Sequence, residues 1–153
     1  MFAFSPSGFS SRLGTLVTWT NHDSVAHQPT SDQGFWMSPR MGTSASYAHR
    51  FNSAGNFPYH CAIHPDMRGR VSIPMSVTAQ TGGGSLVWAV GAGRFDVQME
   101  RPGTTVWVTY RSATLARSAS FRTTHLGRYL FRARTRIGTT ASGWSPAVAL
   151  TVR

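Results

Sequence analysis

Apolar and polar residues alternate in short runs along the whole chain, and glycine and proline separate the runs. Runs of this kind, bounded by turn residues, predict β-strands, and no long amphipathic helical run is present. In the first half, the predicted strands are residues 2–4, 14–20, 47–51, 57–61 and 69–73. Irregular structure is predicted between the second and third of these, where glycine and proline recur.

The second half shows the same strand-like runs at regular intervals. They cover residues 86–90, 95–101, 106–110, 119–122, 128–136 and 147–152, with a hairpin turn at 101–104. Such spacing predicts an antiparallel sandwich. Residues 74–84, which are partly strand-like and partly a glycine linker, separate the two halves. We therefore predict an all-β chain of two domains, residues 1–78 and 79–153; an alternative is that residues 75–78 already form the first strand of the second domain.

Composition supports an ordered β protein, with 41% hydrophobic and only 13% charged residues among 153. All 15 basic side chains are arginine, and the net charge is +10. The charge is uneven: the first predicted domain has a net charge of +2 and the second +8. This asymmetry indicates that an anionic partner would bind the second domain.

The predicted strand 128–136 concentrates positive charge on one face, because alternate side chains of a strand point the same way. The arginines of this face are Arg128, Arg132, Arg134 and Arg136. They are a candidate docking patch for an anionic surface or polymer, such as a cell-wall polymer or lipid head groups. A nucleic-acid partner is disfavoured because the aromatic residues that would stack on bases are assigned to the core. The alternative is a solvated face without a partner.

One short loop carries the only cysteine together with other soft ligands. Cys61 is followed by His64 and Met67 at intervals of three residues. A thiolate, an imidazole and a thioether suit copper better than magnesium or calcium. A further imidazole is available upstream, from His22 or His27. His60 is adjacent to the cysteine on a predicted strand, so its side chain should point to the opposite face. The remaining histidines have no useful partner and are interpreted as surface residues.

Two segments together resemble the cupredoxins, the small blue-copper proteins that include plastocyanin, pseudoazurin and amicyanin. The first is a strand with Trp19 that ends in Asn21-His22-Asp23 and leads to His27; the second is Tyr59-His60-Cys61 followed by His64 and Met67-Arg68-Gly69-Arg70-Val71. The Cys-x-x-His-x-x-Met spacing is similar to the short-loop, amicyanin-like form. The resemblance implies a Greek-key β-sandwich that holds one copper ion. His27, Cys61 and His64 would be the strong ligands, Met67 the axial ligand, and Asn21 would tie the two ligand loops together.

Residues 75–153 resemble a fibronectin type III domain. The resemblance is carried by the strand around Trp88, the strand 127–134 and the corner Gly143-Trp144-Ser145-Pro146. These features are shared by many sandwiches and are less specific than the copper loop. They imply a second β-sandwich after the first.

The cupredoxin resemblance implies a type 1 copper site and one-electron transfer with a redox partner protein. The alternative is a non-redox extracellular adhesion or scaffold protein whose first domain only binds metal or has lost it. We expect no enzymatic activity, because multicopper catalysis needs further histidine clusters with open coordination positions.

Both resemblances imply a secreted, periplasmic or cell-surface protein of bacteria. No transmembrane segment is predicted, because no apolar run is long enough to span a membrane, and no signal peptide precedes the first predicted strand. Since Met1 is followed at once by that strand, we expect the first domain to be truncated at its N-terminus.

Overall fold

A computed structural model that describes all 153 residues contains fourteen β-strands and no helix. The strands are β1 (Gly8–Ser10), β2 (Thr15–Thr20), β3 (Pro29–Ser31), β4 (Ser46–Phe51), β5 (Gly55–Cys61), β6 (Arg68–Ile73), β7 (Ser76–Gln80), β8 (Gly83–Val87), β9 (Arg94–Glu100), β10 (Trp107–Thr114), β11 (Ser118–Arg122), β12 (Gly127–Ile137), β13 (Thr140–Ala141) and β14 (Val148–Val152). The prediction of an all-β fold is confirmed. The chain has no helix that could cross a membrane.

The first sandwich packs a four-stranded sheet, in the order β1-β6-β5-β3, against the two-stranded sheet β2-β4. β1 runs parallel to β6, and the other neighbours are antiparallel. In β5, Phe57, Tyr59 and Cys61 point inward and are 3%, 1% and 0% exposed. These alternate residues share the inward face of the strand. It carries the cysteine to the end of the core as the last residue of the strand.

Two details of the first sandwich differ from the sequence predictions. Residues 2–4 form no strand: Phe4 instead lays its ring 4.7 Å from that of Tyr59, and the strand in this region is β1, which pairs with β6. The segment predicted to be irregular contains β3, which pairs Pro29 with Cys61. The alternation at residues 2–4 reflects packing of two aromatic rings, Phe2 on His64 and Phe4 on Tyr59, and β3 is too short to produce a periodic signal.

The second sandwich packs the sheet β11-β8-β7 against the sheet β10-β9-β12-β13, which β14 extends by pairing with β12. Each strand predicted here is present with bounds shifted by a few residues, and the predicted turn is closed by the amide of Thr104 donating to the carbonyl of Arg101. β7 pairs with β8 from Ser76 onward, so the strands of this sandwich begin before residue 78. The resemblance to fibronectin type III remains a prediction.

The two sandwiches are joined through the connection between β4 and β5. The amide of Ala54 donates to the carbonyl of Trp88 at 2.8 Å, and the Thr135 hydroxyl donates to the carbonyl of Ala54 at 2.9 Å. Asn56 and Gly143 exchange two backbone hydrogen bonds of 2.9 Å. Ala54 itself is 1% exposed and packs in the core of the second sandwich. Separation of the sandwiches would therefore break these hydrogen bonds and expose Ala54 to water.

Candidate metal centre

Strand pairing brings the two ligand-bearing segments together. Cys61 ends β5, and the turn that follows carries His64 and Met67 back to β6. The turn is closed by the amide of Cys61 donating to the carbonyl of Met67 at 3.0 Å. His27 lies two residues before Pro29, the residue of β3 that pairs with Cys61. The register of β3 on β5 therefore sets the distance between the upstream histidine and the cysteine.

Three donor atoms form a compact triangle at this place. Cys61 Sγ lies 3.8 Å from His27 Nδ1 and 3.8 Å from His64 Nδ1, and the two nitrogens are 3.2 Å apart. In the plane of the three atoms, the point equidistant from them lies about 2.1 Å from each, within the range of about 2.0–2.3 Å for metal bonds to imidazole nitrogen and thiolate sulfur. The triangle is thus the right size to hold one transition-metal ion in its plane.

The surroundings of Cys61 favour the thiolate, which is the form that binds metal. Burial raises the pKa of this thiol, but hydrogen bonds from the Gln28 amide, the His27 ring and the amides of His64 and Ile63 together lower it to about 6. The Gln28 amide lies 3.3 Å from Sγ. Most of Cys61 is therefore ionised near neutral pH even before a metal binds.

In the metal-free protein, Cys61 should titrate with a pKa of about 6, whereas an ordinary cysteine titrates near about 8.5. Since the pKa is lower in the folded than in the unfolded chain, the thiolate stabilises the fold fully above about pH 8.5, and this contribution is lost as the pH falls towards 6. Ultraviolet absorbance of the thiolate, with Cys61→Ser as the baseline, measures the midpoint. A midpoint near that of an ordinary cysteine would contradict the hydrogen-bonding arrangement.

His27 is oriented by a hydrogen bond on the far side of its ring. Nε2 lies 2.6 Å from Oδ2 of Asp23, while Nδ1 faces the cysteine and the second histidine. Burial opposes protonation of His27, but hydrogen bonds and charges from Cys61 and Asp23 together raise its pKa above the ordinary value. The ring is 5% exposed. Its donor nitrogen is therefore presented to the centre of the triangle by a fixed ring.

The resemblance implied that Asn21 alone ties the two ligand loops together, but in the structure this task is shared between Asn21 and Gln28. Asn21 is 4% exposed, and its amide donates to the carbonyls of Val25 and Met41, so its bonds order the segment that carries His27. The link to the cysteine loop comes from Gln28, whose amide reaches Sγ and whose carbonyl accepts from the Ala62 amide at 3.0 Å. Sequence reasoning missed Gln28, although its place directly after a ligand was a usable signal.

Gly69, in the Met-x-Gly-x-Val motif, has a steric role. A Cβ at this position would clash with the ring of Tyr59, which pairs with Gly69 across β5 and β6. Tyr59 is fully buried two residues before the cysteine. The glycine therefore lets the aromatic core approach the metal loop.

The other histidines lie apart from the triangle. His60 points to the opposite face of β5 and contacts Asp32, as the alternation predicted. His22 is not among the clustered donors. His49 was interpreted as a surface residue, but it is half-buried with its ring 5.7 Å from that of Trp36, and burial lowers its pKa. Tertiary packing on a tryptophan cannot be read from the local sequence.

The four arginines of the predicted anionic patch lie on the outer face of β12, but most have partners within the chain. Arg132 donates twice to the side chain of Gln98 and stacks against Trp107 at 4.2 Å. Arg134 and Arg136 both donate to Asp96, and Arg128 is exposed. Three of the four arginines thus have partners within the chain, but Asp96 is the only acid among those partners, so the face keeps an excess of positive charge. An anionic partner remains a prediction.

Known proteins resemble part of the chain. Amicyanin of Paracoccus denitrificans is 33% identical over 67 residues, which are 40% of this chain and 51% of that protein. Amicyanin-alpha of Methylorubrum extorquens is 30% identical over 67 residues, 40% of this chain and 56% of that protein. The chain thus spans about half the length of these curated relatives. A solved purple cupredoxin of Nitrosopumilus maritimus is 35% identical, with a TM-score of 0.43 over 45% of this chain and 79% of that chain. No protein-family model matches the chain.

The chemistry of the donors indicates which metal the site would hold. One thiolate and two imidazoles surround a point at bonding distance, and Met67, 4% exposed, supplies a thioether on the same loop. This donor set fits copper, and the first sandwich carries a site for one copper ion. Over about 40% of its length, this chain is homologous to amicyanin, a cupredoxin.

Proposed function

We propose that this chain transfers single electrons through one type 1 copper ion. The observation that carries the proposal is the triangle of one thiolate and two imidazoles, with sides of 3.8, 3.8 and 3.2 Å. A trigonal His-Cys-His set with a weak axial thioether is the ligand set of blue-copper electron-transfer sites. Such a set accommodates both Cu(I) and Cu(II), so little has to move when an electron arrives.

Hydrogen bonds that hold the donors limit movement further. The loop between Cys61 and Met67 is closed by a backbone hydrogen bond, and the Gln28 amide donates a hydrogen bond to the thiolate sulfur. His27 exchanges two backbone hydrogen bonds with Met41, of 3.0 and 2.8 Å. Met67 would supply the thioether, because it is buried and its backbone is tied to the cysteine and to His64. These contacts favour a centre that keeps its geometry in both oxidation states.

The proposed route for the electron is through His64. Of the three clustered donors, His64 alone is not buried. The ring of Phe2 lies 4.7 Å from the His64 ring and is 41% exposed, so an apolar side chain borders the imidazole at the surface. A redox partner protein that covers this end of the sandwich would come close to the copper ligand.

Voltammetry of the copper-loaded protein tests the electron-transfer role. We expect a reversible one-electron wave and fast electron self-exchange, because the donors are held in place by the hydrogen bonds above. The zinc-loaded protein is the control and should give no wave. Slow or absent turnover between Cu(I) and Cu(II) in a protein that binds copper would contradict this proposal and favour a non-redox adhesion or scaffold role.

We also propose that the chain acts outside the cytoplasm and has no catalytic activity of its own. The location is supported by the single buried cysteine, because copper on this thiolate would protect it from oxidation where disulfides persist. Fractionation of the native host tests the location. Assays of nitrite and oxygen reduction by the copper-loaded protein test the second statement, and turnover in either would contradict it.

We propose that the second sandwich is a fibronectin type III-like domain. The support is its arrangement, in which the three-stranded sheet β11-β8-β7 packs on a sheet that includes β10, β9, β12 and β14. Its backbone hydrogen bonds to Ala54 and Asn56 hold it against the copper domain. The proposed role is to present the copper domain in a fixed orientation.

A further inference from the structure

The two imidazoles of the copper site differ in what they contact on the side away from the metal. Nε2 of His27 lies 2.6 Å from the carboxylate of Asp23. The ring of His64 makes hydrogen-bond contacts only through Nδ1, with Cys61 and His27. One ligand is therefore anchored by an anionic side chain, and the other is not.

Asp23 is itself held in position by the segment that precedes His27. Its amide donates to Oδ1 of Asn21 at 2.8 Å, and the amide group of Asn21 donates to the carbonyls of Val25 and Met41. The only side-chain hydrogen bond and ion pair of the Asp23 carboxylate is with His27. The carboxylate thus completes a chain of hydrogen bonds that starts in the buried turn and ends on a metal ligand.

We infer that Asp23 is a positioning residue of the copper site, which holds His27 with Nδ1 toward the metal and favours Cu(II) over Cu(I). This inference rests on the proposed copper site. A carboxylate cannot donate, so Nε2 carries the proton of this bond, and the neutral ring, which is the form that binds metal, has its lone pair on Nδ1. A carboxylate on the far nitrogen fixes the tautomer and ring orientation and raises the basicity of the ligand. Its negative charge also stabilises the more highly charged oxidation state.

Two variants separate the hydrogen bond from the charge. Asp23→Asn keeps an oxygen that accepts from Nε2 but removes the charge, and Asp23→Ala removes both. Asp66→Asn is the matched control, because Asp66 is an exposed acid on the copper loop that makes no hydrogen bond to a ligand. It removes the same charge from the same end of the sandwich.

Competition with a chelator measures Cu(II) and Cu(I) affinity for each protein. We expect Asp23→Ala to weaken Cu(II) binding by about 10–100-fold, as is typical when an outer partner of a metal ligand is lost. The reduction potential should rise by about 59 mV for each tenfold by which Cu(II) is weakened more than Cu(I). Asp23→Asn should fall between Asp23→Ala and the parent protein, and Asp66→Asn should match the parent. Equal affinities and potentials in all four proteins would overturn the inference.

The metal-free protein provides an independent readout. Nitrogen chemical shifts of the His27 ring at alkaline pH report which nitrogen carries the proton. We expect the Nε2–H tautomer in the parent and a mixture of tautomers in Asp23→Ala; a predominantly Nδ1–H ring in the parent would overturn the inference. Neither the copper affinity nor the tautomer of the His27 ring depends on electron transfer. A parent protein that binds copper without redox turnover would therefore refute the proposed function but would leave this test intact.

Discussion

Replacing Cys61 with serine is expected to abolish the intense visible absorption of the copper-loaded protein. That absorption arises from charge transfer between a thiolate and Cu(II), and Cys61 is the only cysteine of the chain. The residue is 0% exposed and its sulfur lies 3.8 Å from both donor nitrogens, so no other group takes its place. The affinity for Cu(II) should fall by more than the roughly 10–100-fold typical of losing an outer partner.

The adjacent residue provides the control for this substitution. His60 lies on the same strand but points to the opposite face, where it contacts Asp32. His60→Gln should therefore keep both the colour and the affinity. Intense visible absorption in a copper-loaded Cys61→Ser protein would show that the colour does not come from this thiolate and would refute the assigned site.

Replacing Phe131 with alanine should lower the temperature at which copper colour is lost, although Phe131 lies in the second sandwich. Phe131 is 0% exposed in the core that also contains Ala54, the residue through which the first sandwich joins the second. Removal of a buried phenylalanine costs about 3–5 kcal/mol. For a chain of this size, each kcal/mol lowers the unfolding midpoint by about 2–4 °C, so we expect a shift on the order of 10 °C.

Visible absorption and far-ultraviolet circular dichroism, recorded during the same thermal scan, measure this coupling. Both signals should shift together, because backbone hydrogen bonds across the junction link the two sandwiches. Arg128→Ala, an exposed substitution on the same strand, is the control and should leave both midpoints unchanged. A copper signal that keeps its midpoint while the second sandwich unfolds earlier would show that the two sandwiches unfold independently.

Local sequence patterns predicted much of the fold and the core of the metal site. Alternation on β5 placed Cys61 and His60 on opposite faces, because the side-chain period of a strand depends only on the chain itself. The spacing of Cys61, His64 and Met67 places them on one turn in any strand-turn-strand arrangement. The pairing with His27, which depends on the register of β3, was reached only through the family resemblance.

What could not be predicted depends on which elements meet in space. The amide of Gln28 and the carboxylate of Asp23 reach the site because β3 and the turn before it fold over the cysteine. The arginines on β12 looked like free charge in the sequence, but Asp96 on the neighbouring strand accepts from two of them. Strand order and register, which decide both results, are properties of the whole sheet.

Titration of the metal-free protein with Cu(II), followed by visible absorption, tests the copper site most directly. We predict an intense thiolate-to-copper absorption that rises linearly and stops at one copper per chain, because the structure offers one triangle of thiolate and imidazoles. A colourless complex, or binding that continues past one equivalent with the same colour, would contradict the assignment of a single type 1 site to His27, Cys61, His64 and Met67.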